Sequence, residues 1–182
     1  MVRLLDEARV PYMVAGSIAS SHHGRPRMTQ DVDIVIDPDA RALAGLVAAI
    51  EAAGLYVDAG RAADALAQRR QFNAIDPASG MKVDLILRKD RAFSREEFSR
   101  ARPGRLAGGT EVRLASPEDV ILSKLEWARR AGGSERQLKD AEGIVTVQGA
   151  ALDRDHVDRW AAVLGVSDLW HQVRNPPPPS EE

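Results

Sequence analysis

Residues 14–36, VAGSIASSHHGRPRMTQDVDIVI, divide into an apolar run, a Gly-Ser turn, a short helical segment, a basic loop and a second apolar run that carries two aspartates. The runs read as strands. Residues two apart in a strand project to the same face, so Asp31 and Asp33 point one way while Val32, Ile34 and Ile36 point the other. Two carboxylates aimed at one spot repel each other, and burial sharpens the repulsion. A cation relieves it, and a divalent metal is the strongest candidate.

Around that stretch the chain has the length of one compact domain, 182 residues, with a net charge of -2. That balance argues against a generally basic nucleic-acid coat. The absence of cysteine excludes disulfides, thiolate metal sites and cysteine nucleophiles, and suits a reducing compartment. No apolar run approaches the roughly 20 residues needed to span a bilayer. Asp6, Glu7 and Arg9 interrupt what would be the apolar core of a signal peptide, so a cytoplasmic location with no membrane partner is expected.

Helical spacing predicts helices over residues 2–9 and 41–53, the second closed by Gly54. Ser17 is expected to cap a helix over 18–23. A short strand at 55–57 and an alanine-rich helix over 62–68 follow. Residues 70–75 and 81–87 flank Asp76-Pro77-Ala78-Ser79-Gly80, strong turn chemistry, and predict an antiparallel hairpin. On its second arm Lys82, Asp84 and Ile86 share a face opposite Val83, Leu85 and Leu87. Acidic residues are depleted in strands, so Asp84 is a third carboxylate of interest. A further small hairpin is expected across Gly108-Gly109. From Ser116-Pro117-Glu118-Asp119, a helix start, the pattern turns wholly helical, with helices over 117–131, 134–147, 153–164 and 166–173. The fold expected is α/β or α+β: a mixed β-sheet flanked by helices over residues 1–115, a helical region packed on it over 116–175, and a disordered proline-rich tail over 176–182.

At Gly16-Ser17, Asp31, Asp33 and Asp84 the chain resembles the nucleotidyltransferase superfamily of the DNA polymerase β type. In that pattern a strand ends in Gly-Ser, a helix follows, D-x-D comes about a dozen residues later, and a third acid lies on a later strand. Arg25-Pro26-Arg27-Met28-Thr29-Gln30-Asp31-Val32-Asp33 is similar to the R-x-T-x-D-h-D variant of minimal bacterial members, AbiEii-like toxins among them. The segment from Ser116 to Leu125 resembles their P-E-D-h-h-x-x-K-L helix, and Lys139-Asp140 their later K-D pair. The matches cover roughly residues 10–145.

The resemblance implies the chemistry. Asp31, Asp33 and Asp84 would be the catalytic and metal-binding acids, for Mg²⁺ or Mn²⁺ shared with an NTP substrate. Gly16 would let backbone approach the phosphates, and Ser17 with the helix N-terminus would donate to them. Arg25, Arg27 and Lys124 are candidates to neutralise pyrophosphate. Lys124 reads equally as a lysine laid along an apolar surface, and Lys139 with Asp140 as a helix-surface pair. His22 and His23, adjacent on a helix end, do not chelate together. Trp127, Trp160 and Trp170 read as helix-packing residues before a base-stacking set, and the arginine-rich run 88–105 as a solvated face before a site for RNA phosphates. The implied function is transfer of a nucleotide to an RNA end, a protein hydroxyl or a small molecule, with pyrophosphate released. A place in a toxin–antitoxin or phage-defence pair goes with it, as toxin or as an antitoxin that modifies its toxin. The alternative is a non-catalytic nucleotide-binding or regulatory protein of the same fold.

Overall fold

The structure, a computed structural model, describes residues 1–29, 31–106 and 108–175. The proline-rich tail expected over 176–182 lies outside them. The chain divides into two compact units, one of residues 1–18 and 28–115 and the other of residues 19–27 and 116–182.

The first unit is built on β1 (Tyr12–Val14), β2 (Asp31–Ile36), β3 (Tyr56–Val57), β4 (Gln71–Ile75), β5 (Lys82–Leu87), β6 (Arg102–Arg105) and β7 (Glu111–Leu114). Among the described residues these form one seven-stranded sheet in the order β3-β4-β5-β2-β1-β7-β6. It is mixed: β2 runs parallel to β5 and β1 parallel to β7, while the other neighbours are antiparallel. The hairpin expected around residues 76–80 joins β4 to β5, and the small one across Gly108-Gly109 joins β6 to β7. Three helices accompany the sheet on the apolar side: α1 (Val2–Glu7), α3 (Ala40–Ala52) and α4 (Ala59–Gln68). Between α1 and α3 the chain forms α2 (Gly16–His23), which crosses from the first unit into the second.

Period-two alternation sorts the sheet faces. Ile34 and Ile36 of β2 and Leu85 and Leu87 of β5 are fully buried on one side. The stripe Leu43, Leu46, Val47 and Ile50 of α3 is buried too, at the 3.6-residue spacing that makes one helix face. Asp39 caps α3, its Oδ1 accepting the Ala42 amide at 2.7 Å. Two boundaries differ from the sequence reading. The first helix stops at Glu7, because Arg9 takes a left-handed φ of 54° before Pro11. The helix after Gly16 begins at Gly16 itself, so Ser17 lies within its first turn instead of preceding it as a cap.

The second unit is helical apart from its loop segment. It contains α6 (Pro117–Arg130), α7 (Glu135–Gln148), α8 (Arg154–Leu164) and α9 (Ser167–Val173); α5 (Ala92–Ser99) belongs to the first unit. Ser116 caps α6 by accepting the Asp119 amide at 3.2 Å, with Pro117 at the first helical position. Trp160 and Trp170 are buried, the latter donating its indole N–H to Asp158 at 2.6 Å. Trp127 departs from the packing role expected of it: at 59% exposure it stands on the outer face of α6. Ala128 and Leu125 take the buried positions there. No helix among the described residues is long and apolar enough to cross a membrane.

Candidate functional site

The parallel pairing of β2 with β5 sets Asp33 directly beside Asp84, and Asp31 beside Lys82. Registered partners on neighbouring strands point to the same face, so Asp31, Asp33, Lys82 and Asp84 share one side of the sheet about one strand spacing apart, ~4.8 Å. Exposure falls across the group: Asp31 is exposed, Asp33 half-buried, and Asp84 only 8% exposed. At an effective dielectric near 20, two charges about 5 Å apart repel by about 3 kcal/mol. Such a pair needs compensation.

Part of it comes from the chain itself. The Lys82 ammonium stands 3.2 Å from Asp84 Oδ2 and 3.7 Å from Asp31 Oδ1. Its hydrogen bond to Asp84 comes first among the effects that hold the ammonium above its ordinary pKa, and the fields of Asp84, Asp31 and Asp33 add to it against the cost of desolvation. From β4, on the other side of β5, the Asn73 amide donates to Asp84 Oδ1. Both oxygens of the buried carboxylate are thereby occupied by donors.

The backbone closes on Asp33 from the other side. Ala15 N–H donates to the Asp33 carbonyl at 2.9 Å, and Gly16 follows with a φ of +57° at the head of α2. A Cβ at Gly16 would lie 1.9 Å from Asp33 Oδ2. Only glycine fits there, on both counts. Ser17 is next along, in the first turn of α2, where amide groups lack intrahelical partners and favour anions.

The donor set suits a hard divalent cation in kind: carboxylate oxygens on one face, beside a backbone cradle with no side chain. As the side chains stand, no group of three His, Cys, Asp or Glu residues among those described is arranged to hold a metal ion. The Lys82 ammonium stands against oxygens of both Asp31 and Asp84 on this face. A cation entering this face meets another cation.

The remaining candidates belong to the second unit, where two of them meet. Arg27 grips Asp140 with a fork, Nε to Oδ1 at 2.9 Å and Nη2 to Oδ2 at 3.0 Å, and Lys124 Nζ reaches Oδ2 at 2.7 Å. Burial works against the charged form of Asp140, but the hydrogen bonds from Arg27 and Lys124 outweigh it and keep the carboxyl below its ordinary value. Asp140 is therefore no surface partner of Lys139, which pairs with Glu135 at 2.9 Å in the open. Nor does Lys124 lie along the surface, being 5% exposed. Arg25 sits where the loop touches α7. A Cβ at neighbouring Gly24 would come within 2.8 Å of the Ile144 amide nitrogen, and Gln148 donates to the His23 carbonyl at 2.7 Å. His22 and His23 end α2 with their rings edge to face.

The rest of the P-E-D-h-h-x-x-K-L helix is also internal. Asp119, completely buried, accepts from Ser116 Oγ at 2.7 Å and pairs with His156 Nε2 at 2.8 Å, while Glu118 accepts the Asp153 amide at 3.2 Å. These bonds tie α6 to the start of α8.

Asn73 is the neighbour of the acids that the sequence reading passed over, while Lys82 was placed on the Asp84 face but given no part in the site. Both were countable from the turn at 76–80, whose register sets Asn73 opposite Asp84 and Ile75 opposite Lys82. The opposite face of the first unit carries an open apolar cleft of about 700 Å³, lined by Leu4, Val14, Val32, Ile34, Leu55 and Val83 among others. No carboxylate lines it, so it offers no place for the acids' chemistry.

No protein-family model matches the chain, and no curated protein matches it in sequence. Solved structures are similar to it in fold. The crystal structure of ANT(2'')-Ia in complex with adenylyl-2''-tobramycin matches with a TM-score of 0.56 at 19% identity, over 90% of this chain and 91% of that one. The solution structure of the antibiotic-resistance factor ANT(2'')-Ia matches with a TM-score of 0.52 at 19% identity, over 93% of each chain. An antigenic nucleotidyltransferase-like protein from Paracoccidioides brasiliensis matches with a TM-score of 0.53 at 16% identity, over 94% of this chain and 93% of that one. The fold, a mixed α/β sheet with flanking helices, is nucleotidyltransferase-like.

Proposed function

We propose that the chain is a metal-dependent nucleotidyltransferase that moves NMP from an NTP to a hydroxyl acceptor and releases pyrophosphate. One observation carries the reading: the β2–β5 register that aligns Asp33 with Asp84, beside a glycine that admits no side chain, within a nucleotidyltransferase-like fold. The triphosphate is assigned to Gly16 and Ser17, whose amides at the head of α2 offer donors to phosphate oxygens. Asp31, Asp33 and Asp84 are the residues that would hold Mg²⁺ or Mn²⁺. When bound, that ion supplies charge neutralisation at the phosphate oxygens.

The acceptor hydroxyl oxygen forms a bond to the α-phosphorus, and the bond from that phosphorus to the bridging oxygen of the β-phosphate breaks. The electron pair leaves with pyrophosphate. Asp84 takes the hydroxyl proton, its carboxylate kept in place by Asn73. Arg25, Arg27 and Lys124 are retained as candidates for pyrophosphate, with Arg27 and Lys124 already engaged by Asp140.

For the acceptor, a small-molecule hydroxyl stands beside an RNA end and a protein hydroxyl, since ANT(2'')-Ia is seen with adenylyl-2''-tobramycin. The AbiEii-like affiliation, a role in a toxin–antitoxin or phage-defence pair and a cytoplasmic setting rest on motif resemblance and cysteine-free composition. The adjacent gene tests the pairing. The test of the reaction is incubation with α-labelled NTPs, Mg²⁺ and acceptors of the three classes. Asp33→Asn and Asp84→Asn are expected to lower kcat by about 10²–10³ with little change in KM. An active wild type whose rate survives both substitutions overturns the assignment.

A second reading, a non-catalytic nucleotide-binding or regulatory protein, is favoured by Lys82, which compensates the carboxylates without a metal. Thermal unfolding with Mg²⁺–NTP separates this reading from a protein that binds no nucleotide, since bound nucleotide raises the midpoint. Labelled transfer then separates it from the enzyme.

A further inference from the structure

We propose that Lys82 is the built-in counter-ion of the carboxylate face, which a divalent cation must displace, so that the nucleotide-free chain holds such a cation only weakly. The inference rests on the transferase reading in assuming that a divalent cation uses this face.

The placement of Lys82 is set by the strand. It precedes Asp84 by two residues and so shares its face, and the β2–β5 register puts it level with Asp31. Its ammonium touches both carboxylates, at 3.2 Å and 3.7 Å. Lys82 thus sets one ammonium among the three carboxylates of this face, a positive charge that an incoming divalent ion has to meet.

Solvent access makes the ammonium exchangeable. The Lys82 side chain is 39% exposed, whereas that of Asp84 is 11% exposed. A partly solvated lysine can swing into water at little cost, because exposed pairs hold weakly. Asp84 cannot follow it: Asn73 retains the other carboxylate oxygen, so the acid stays in place for the incoming ion. Once displaced, the ammonium needs a new anion, and a triphosphate brings one. Cation and nucleotide are therefore expected to enter together, each weak alone.

The experiment is Mn²⁺ titration of the nucleotide-free chain, with free Mn²⁺ read by electron paramagnetic resonance. Wild type, Lys82→Met, Lys82→Arg and Asp33→Asn are compared, with Lys82→Gln in reserve should the methionine variant fail to fold. A unit charge about 5 Å from a divalent ion, even in water, is worth about tenfold in affinity or somewhat more. Lys82→Met is expected to bind Mn²⁺ about tenfold tighter than wild type, Lys82→Arg about as wild type, and Asp33→Asn more weakly. If wild-type binding depends on Asp33 and Lys82→Met binds no tighter, the counter-ion proposal falls and the transferase reading stands. If no variant binds Mn²⁺ even with a non-hydrolysable NTP analogue present, the metal-dependent reading fails, and the inference with it.

Discussion

Replacing Asp140 by alanine removes one acceptor from two cations at once. Arg27 is 28% exposed and can turn to water, but the Lys124 side chain is 6% exposed and donates to Asp140 Oδ2 at 2.7 Å. Breaking a buried pair by deleting one partner leaves an uncompensated charge, at about 3–5 kcal/mol. Asp140→Ala should lose that much stability at pH 7 in urea denaturation. Lys124→Met combined with Asp140→Leu should recover a good part of it, since an apolar pair of similar volume carries no stranded charge. The same contact sets a pH dependence. The folded-state carboxyl lies below its ordinary 3.8, so its contribution is complete above about pH 4 and is lost as pH falls through the lowered value. Asp140→Asn should lack that component of acid unfolding. A loss under 1 kcal/mol for Asp140→Ala at pH 7 would refute the structural role of the cluster.

Two further substitutions probe each unit separately. Gly16→Ala adds a Cβ 1.9 Å from Asp33 Oδ2 at a φ of +57°, so it should cost about 1–2 kcal/mol from backbone strain alone and weaken nucleotide binding about tenfold or more; thermal unfolding and titration with a fluorescent NTP analogue check both, and unchanged binding removes Gly16 from the phosphate site. His156→Ala takes a donor from Asp119, which is completely buried, and should destabilise the chain by about 1–3 kcal/mol in urea while leaving Mn²⁺ binding as it was; an unaltered urea midpoint would show that this carboxylate does not depend on His156.

What the sequence could yield follows from the range of the interaction involved. The common face of Asp31 and Asp33 is a consequence of strand geometry over three residues, and the hairpin of β4 and β5 follows from turn chemistry over five. Both are local, and both were readable. The alignment of Asp33 with Asp84 depends on a parallel pairing between strands about fifty positions apart, which no local pattern specifies; only the resemblance suggested that the three acids belong together. The Arg27–Asp140 fork spans 113 positions and was missed for the same reason. Asp140 was read beside its sequence neighbour Lys139, yet adjacent helix residues face different ways, and only one of them turns inward. Trp127 failed differently. Its helical spacing fits the buried stripe of α6, but Leu125 and Ala128 already fill the interior, and the indole is left outside.

The two lysines of interest show how one chemistry divides into two roles. Each pairs with an aspartate: Lys124 with Asp140, Lys82 with Asp84. Their side-chain exposures are 6% and 39%. A buried ammonium that leaves its partner loses several kcal/mol of compensation, so Lys124 is fixed as part of the fold. An ammonium with water at hand gives up about 1 kcal/mol or less when its pair opens. Lys82 is thus the lysine that can yield its carboxylates to another cation, and it stands on the face where the strand register has gathered them.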